Sequence, residues 1–402
     1  MVEGSHGRTG YRAAFALGAF RALFTAHVIS VVGDQLARVA LVVLVYDRTG
    51  SPAWSALAYA LTFLPALIGG PLLAGLADRY LRRTVMIVAD LVRAAVVAFM
   101  AWLGLPWQVV CVLLVVVQLA GAPAVPARSA LLPALIPDPA VMRTGVAALS
   151  TVTQLGQILG FAAGGILVAA IGPGGALLTD AATFAASALL VVLFVPSIAT
   201  RGSQPLGWWE RIRAGAGVVW RDRHLLVLVG YAALSGTYIV GEALAASYSA
   251  HLGGGPATVG LLFAAYSAGC AAASLAVAVL AEPVQLRLMP LLAMGTGVPL
   301  LGCLFDPPLP VVVGLFVLSG AASSYHVVAQ PTFVLRAPEA HRGQAIGFAV
   351  AAMQAAQGAG VTLGGLAAEL VDPHVVTGAA GVVGVVAATL LAGRWRTLQP
   401  RT

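Results

Sequence analysis

No lysine occurs in this chain, and all 22 basic residues are arginine. Charge of either sign is scarce, at 9% of 402 residues, where a soluble domain carries roughly 25%. Cysteine is scarcer still. Cys111, Cys270 and Cys303 lie far apart inside apolar runs, which excludes a disulfide framework and a cysteine metal site. Walker-type loops, phosphate-binding glycine turns, nucleophile elbows and metal-ligand spacings are all missing. An ATP-driven pump is therefore excluded for this chain alone, and a membrane-embedded enzyme is a poor reading. The alternating apolar and polar strands of a membrane barrel are absent as well.

What remains is apolar sequence, 60% hydrophobic, with a mean hydropathy of +0.94. At about 30 residues per span and connection, the length accommodates roughly 12 transmembrane helices. Only helices satisfy their own backbone in lipid once a barrel is ruled out, so the fold class is all-α integral membrane. The expected spans are 20–46, 53–77, 84–104, 107–132, 145–171 and 175–196, then 224–250, 256–281, 287–305, 309–333, 343–371 and 375–393. That predicts a six-helix bundle over 1–196, a linker over 197–223, and a second six-helix bundle over 224–402.

Arginine placement orients these spans. The hairpin from Gly69 to Arg83 carries Asp78, Arg79, Arg82 and Arg83 in a short loop between two apolar runs. Carrying three arginines across a bilayer is costly, so the hairpin is expected on the cytoplasmic side. The other connections on that side hold Arg8, Arg12, Arg143, Arg211, Arg336, Arg342 and Arg401 among others, and the opposite side holds only Arg48. Both termini are thus expected in the cytoplasm of a multi-pass cell-membrane protein. Arg21 interrupts the first apolar run, which reads as an uncleaved span. The positive charge reflects topology and not nucleic-acid binding. In the linker, Trp209, Ile212, Ala216 and Val219 recur at helical spacing, predicting an amphipathic helix on the cytoplasmic membrane surface.

The two halves share one plan. A shift of 200 lays Gln154, Gln157, Gly160, Gly164, Gly165 and Pro173 on Gln354, Gln357, Gly360, Gly364, Gly365 and Pro373. A shift of 204 lays Pro52 on Pro256 and Asp78 on Glu282. Parallel six-helix halves around a central cavity are a transporter architecture.

At this point the chain resembles a known family. Gly75-Leu-Ala-Asp78-Arg79-Tyr-Leu-Arg82-Arg83 is similar to the loop between helices two and three of the major facilitator superfamily, with Ala74 and Leu81 where glycine is common. Gly156-Gln-Ile-Leu-Gly160-Phe161-Ala-Ala-Gly164-Gly165 is similar to the glycine-rich antiporter motif of drug exporters, with Phe161 replacing a proline. Gly33-Asp34, Pro126-Ala-Arg128-Ser and Asp180-Ala-Ala-Thr-Phe resemble the branch that contains the enterobactin exporter and macrolide efflux proteins. The resemblance implies that helices one, four, seven and ten line a cavity. It also implies a secondary exporter of small amphipathic molecules (drug, natural product or siderophore), coupled to protons and working by alternating access. A proton symporter importing a metabolite is the alternative.

Buried charge selects the candidate residues, because an ionised group in a span costs several kcal/mol unless it is paired or hydrated. Asp34 and Arg38 are i,i+4 on one helix face and can satisfy each other. Glu242 is the repeat counterpart of Arg38. Asp34, Arg38 and Glu242 are therefore expected to face a common cavity, with Asp34 the first candidate for proton coupling. Gln35, Tyr59, Gln118, Tyr238, His326, Gln330, Gln354 and Gln357 are candidate polar contacts in that cavity. Asp78, Arg79, Arg82, Arg83, Asp90, Arg93 and Arg128 form an expected conformational latch near the cytoplasmic face. Gly156, Gly160, Gly164 and Gly165 permit close helix packing. Asp180 reads as a helix N-terminal charge. No cofactor or resident metal is expected. The expected partners are lipid, protons and one small-molecule substrate, and the protein is read as a monomer.

Overall fold

Serine, aspartate and proline mark where the helices begin. The structure is a computed structural model that describes residues 11–62, 80–102, 105–197 and 208–398. After α1 (Gly18–Thr49), Ser51 caps α2 (Pro52–Ala60): the Trp54 amide donates to Ser51 Oγ at 3.2 Å, and Pro52 supplies the preset first turn. Next come α3 (Arg82–Met100), α4 (Trp107–Gly121) and α5 (Ala124–Leu135). Asp138 caps α6 (Pro139–Phe194) through the Ala140 amide at 2.8 Å.

The long α6 contains two expected spans. Gly172 breaks it with φ of 74°, a left-handed conformation that glycine adopts without Cβ conflict, and Pro173 restarts the helix. The linker forms α7 (Trp208–Arg221), and Asp222 caps α8 (Arg223–Ala233). Span seven continues in short pieces, α9 (Ser235–Tyr238), α10 (Val240–Ala243) and α11 (Ala245–His251). The chain then runs through α12 (Pro256–Ala278), α13 (Glu282–Leu301), a 3-10 turn (Gly302–Phe305), α14 (Leu309–Ala322), α15 (Tyr325–Arg336), α16 (Arg342–Ala367) and α17 (Pro373–Leu398).

Nine helical segments among the described residues are long and apolar enough to cross a membrane. The twelve expected spans reconcile with them simply. Span two runs into residues outside the described set, α6 counts once for two spans, and α3 carries Arg82, Arg83, Asp90 and Arg93. The breaks themselves repeat. Span four divides between Gly121 and Ala124, and span ten divides 201 positions later, between Ala322 and Tyr325.

The contacts divide the chain into two compact units, 1–40 with 68–205 and 41–67 with 206–402. The second unit therefore includes the end of α1 and all of α2, beyond the half expected from the linker position. Each unit is knit by the same glycine contact. In the first, a Cβ at Gly160 would stand 2.8 Å from both the Val32 carbonyl and Gln35 Cβ, and one at Gly164 would stand 3.0 Å from Leu36 Cα. In the second, Gly360 lies against the Gly236 carbonyl, and a Cβ at Gly364 would stand 2.6 Å from Val240. Val32 and Leu36 are the positions that a shift of 204 lays on Gly236 and Val240, so the sequence repeat is a repeat of packing.

The linker helix α7 docks on α16. Gly215 sits against the Gln344 backbone and Phe348, and Val219 is fully buried. Trp220 is 67% exposed.

Candidate functional site

α3 has two chemically distinct faces. Val88, Leu91, Val92 and Phe99 are exposed, and Val88 and Val92 help line an apolar groove of about 540 Å³ shared with α4. Such a surface suits lipid chains. The opposite face buries Met86, Asp90, Arg93 and Val97.

Arg93 is the centre of that inner face. It pairs with Asp34 of α1 and lies 4.0 Å from Asp90 one turn back on its own helix. Its guanidinium stacks over Phe184 of α6 at 3.8 Å from the ring centroid. Gly121 at the end of α4 leaves room for the side chain, since a Cβ there would come within 3.2 Å of Arg93 Nε. Ser187 Oγ donates to Asp90 Oδ2 at 2.7 Å. Asp180, one turn before Phe184 and only 1% exposed, takes a hydrogen bond from Thr183 Oγ1 at 3.2 Å and lies within electrostatic reach of Asp34 and Arg93. Gly33 makes this approach feasible: a Cβ there would collide with Thr183 and Asp180.

A second guanidinium closes the cluster. Arg128 of α5 is within electrostatic reach of Asp90 and Asp34. Its Nη1 donates to His27 Nδ1 at 2.7 Å, so the proton of this imidazole sits on Nε2. That Nε2 donates to Thr153 Oγ1 at 2.9 Å, whose own hydroxyl donates to the Leu149 carbonyl at 2.9 Å. The relay links α5, α1 and α6.

The geometry corrects several expectations. Asp34 pairs with Arg93, which approaches from the neighbouring helix, where the expected partner was Arg38 on its own helix. Asp90, Arg93 and Arg128, three of the residues expected in one charge network, lie within electrostatic reach of one another on the buried side of α3. Asp180, read as a helix N-terminal charge, is buried in the same cluster. Tyr238, expected at a cavity, is 2% exposed and donates to the Ala293 carbonyl at 2.6 Å, so it bridges packed helices of the second unit.

Other candidates fall as follows. Asp78 and Arg79 lie outside the described residues. Arg82 Nη1 donates to the Ala130 carbonyl at 2.7 Å, and Arg83 donates to the Val192 carbonyl, tying α3 to α5 and α6. Gln35 is 5% exposed, and its Oε1 has no hydrogen-bond partner among the described residues. Arg38 and Gln118 are half-buried in the first unit. Gly156, Gly160, Gly164 and Gly165 are all buried, and a Cβ at Gly156 would stand 2.8 Å from Val31.

In the second unit, Glu242 is 8% exposed and accepts a hydrogen bond from Tyr59 Oη at 2.6 Å. His326 is half-buried and stacks on Tyr325 with centroids 4.2 Å apart. Gln354 and Gln357 are half-buried, and Gln330 is exposed. Glu369 sits on the N-terminus of α2, where its Oε1 accepts from Ser51 Oγ and from the Ala53 amide at 3.0 Å.

Sequence reading missed His27, Thr153, Thr183, Phe184 and Ser187. A usable signal was present in Asp180, Thr183, Phe184 and Ser187, which share one helical face at spacings of three and four.

Comparison with known proteins fits this architecture. Residues 23–248 and 226–402 match the Major Facilitator Superfamily. The multidrug efflux pump Tap of Mycobacterium tuberculosis is 31% identical over 375 residues, covering 86% of each chain. The macrolide efflux protein A of Streptococcus pyogenes is 30% identical over 125 residues, a match that spans only 30% of each chain. Among solved structures, a bacterial homologue of the lysosomal transporter Spinster, inward-facing and unoccupied, superposes with a TM-score of 0.70 at 16% identity, covering 94% of this chain and 95% of that one. A POT family transporter bound to 5-aminolevulinic acid gives 0.74 at 11% identity, covering 95% and 96%.

Proposed function

The chain belongs to the Major Facilitator Superfamily and is a transporter, not an enzyme, and from that premise we propose a proton-coupled exporter of small amphipathic molecules that works by alternating access. The observation that carries the reading is the charge balance of the cluster in the first unit. Three carboxylates, Asp34, Asp90 and Asp180, share two guanidiniums, Arg93 and Arg128, inside the membrane-spanning helices. Among these five groups the carboxyls outnumber the guanidiniums by one, and in this reading a proton supplies the missing charge. Asp34 is the point of exchange: its side chain is 34% exposed, against 9% for Asp90 and for Arg93. Proton binding at Asp34 loosens its hold on Arg93, which links protonation to the packing of α1, α3 and α6.

Export is supported by the curated relatives named as efflux proteins. Polar groups within each unit, Gln35 and Gln118 in the first and Gln354 and Gln357 in the second, are the candidates for selection among apolar substrates. The conformational latch in this reading is the charge network of Arg82, Arg83, Asp90, Arg93 and Arg128, and both termini face the cytoplasm.

The test is accumulation of a fluorescent amphipathic dye in cells stripped of their own exporters. Expression should lower accumulation, and a protonophore should restore it. Raised accumulation on expression would instead assign import, and insensitivity to the protonophore would remove the proton.

A further inference from the structure

Three residues far apart in the sequence meet at one end of the second unit, and none of them takes part in the proposed transport chemistry. His251 is the last residue of α11, Asp306 follows the 3-10 turn after α13, and His374 is the second residue of α17. His251 Nε2 and Asp306 Oδ1 are 3.0 Å apart across 55 positions of chain. His374 Nδ1 is 3.9 Å from the same carboxylate oxygen, and the two imidazole centroids are 4.9 Å apart. One ligand atom from each residue lies within 4.8 Å of the others.

We propose that His251, Asp306 and His374 form a binding site for a divalent transition metal of the zinc type. Around a tetrahedral zinc with bonds near 2.0–2.1 Å, neighbouring ligand atoms stand about 3.4 Å apart. The two distances to Asp306 fall on either side of that value, and small side-chain rotations close the third edge. A metal also accounts for two features that the fold does not need. His374 is 9% exposed, yet its Nδ1 has no hydrogen-bond partner among the described residues and points toward Asp306. Asp306 is the one non-glycine residue among those described with positive φ, at 46°, an arrangement that costs about 1 kcal/mol or more and that recurs at binding sites.

Two imidazoles with one carboxylate select zinc, copper or nickel over magnesium and calcium, which prefer oxygen. Three protein ligands leave one position for water. The bound ion ties α11, the turn after α13 and α17 together, at the same end of the unit as the Glu369 contact with α2.

The test is a zinc titration of the purified, chelator-stripped protein carrying no polyhistidine tag, followed by calorimetry and by thermal melting. The wild type should bind one zinc and melt higher in its presence, with magnesium and calcium unable to substitute. His251→Gln and His374→Gln, which keep side-chain volume and polarity, should each weaken binding on the order of tenfold or more, and the pair should abolish the melting shift. Asp306→Asn should weaken it as well. Equal zinc binding by the wild type and the paired glutamine variant would overturn the site, as would no stoichiometric binding by the wild type.

Discussion

At the residue scale the protein is organised by Arg93. Removing one partner of a buried ion pair costs roughly 3–5 kcal/mol, because the remaining charge is left without compensation. Arg93→Gln leaves Asp34, Asp90 and Asp180 facing Arg128 alone, so it should lower the melting temperature sharply. Arg93→Gln combined with Asp34→Asn should recover part of that loss, and thermal melting of the two single variants and the double variant measures the coupling. If the two effects simply add, the pair carries no interaction energy. His27→Ala should be milder, costing about 1–3 kcal/mol, because it leaves one guanidinium donor and one hydroxyl without their partner.

At the element scale the glycines decide how closely helices approach. Gly160→Ala places a methyl against the Val32 carbonyl and Gln35 and must push α6 away from α1. A loss of about 1–3 kcal/mol is expected by analogy with overpacked cores. Gly217→Ala in α7 meets nothing within 4 Å and should be neutral or stabilising by up to about 1 kcal/mol. Melting temperatures of the two variants moving in the same direction would contradict this account.

Caps define a second element-scale effect. Asp222 caps α8 through the His224 amide at 2.8 Å and pairs with Arg336 at 3.0 Å. Partial burial pulls its carboxyl upward, but these hydrogen bonds outweigh that and hold it below the usual carboxylate range. A depressed folded value means that the stabilisation is fully present above the ordinary value of 3.8 and fades as pH falls through the lower folded one. Asp222→Ala should therefore lower stability at neutral pH and lessen the sensitivity to acid below about pH 4, read from melting curves across that range.

The elements were far more legible than their contacts. Hydropathy located the long apolar helices among the described residues, because length and backbone satisfaction in lipid are one-dimensional constraints. The repeat of Gly160 and Gly360 was visible as well, although its carbonyl partners Val32 and Gly236 were not. Partner choice was the hidden part. Arg38 lies one turn from Asp34 in sequence, yet Arg93 reaches it from another helix, and i,i+4 spacing cannot reveal which neighbour arrives first. Asp180 looked like a helix-end charge because it follows Pro173 closely, but Gly33 lets it pack inward. His251, Asp306 and His374 carried no spacing signal at all, since three turns of the fold bring them together.

At the scale of the whole molecule, the second compact unit holds α2 against α16. Gly365 and Ala56 nearly touch there, with a Cβ at Gly365 standing 2.6 Å from Ala56 Cβ. Glu369 and Ser51 fasten the same end. α2 comes from the first six helices of the chain and α16 from the last six, so the proposed alternating access would open this contact in each cycle. Ala56→Cys with Gly365→Cys is close enough to bridge after a slight separation. Oxidation should stop transport and a reductant should restore it, whereas transport that continues through the oxidised bridge would make the contact permanent. The central claim, that a proton exchanged at Asp34 drives export, has a direct measurement in proteoliposomes holding a pH indicator. An imposed pH gradient should drive substrate movement coupled to proton flux in the wild type, and Asp34→Asn should abolish both; a variant that retains wild-type proton flux and pH-driven transport would contradict the account.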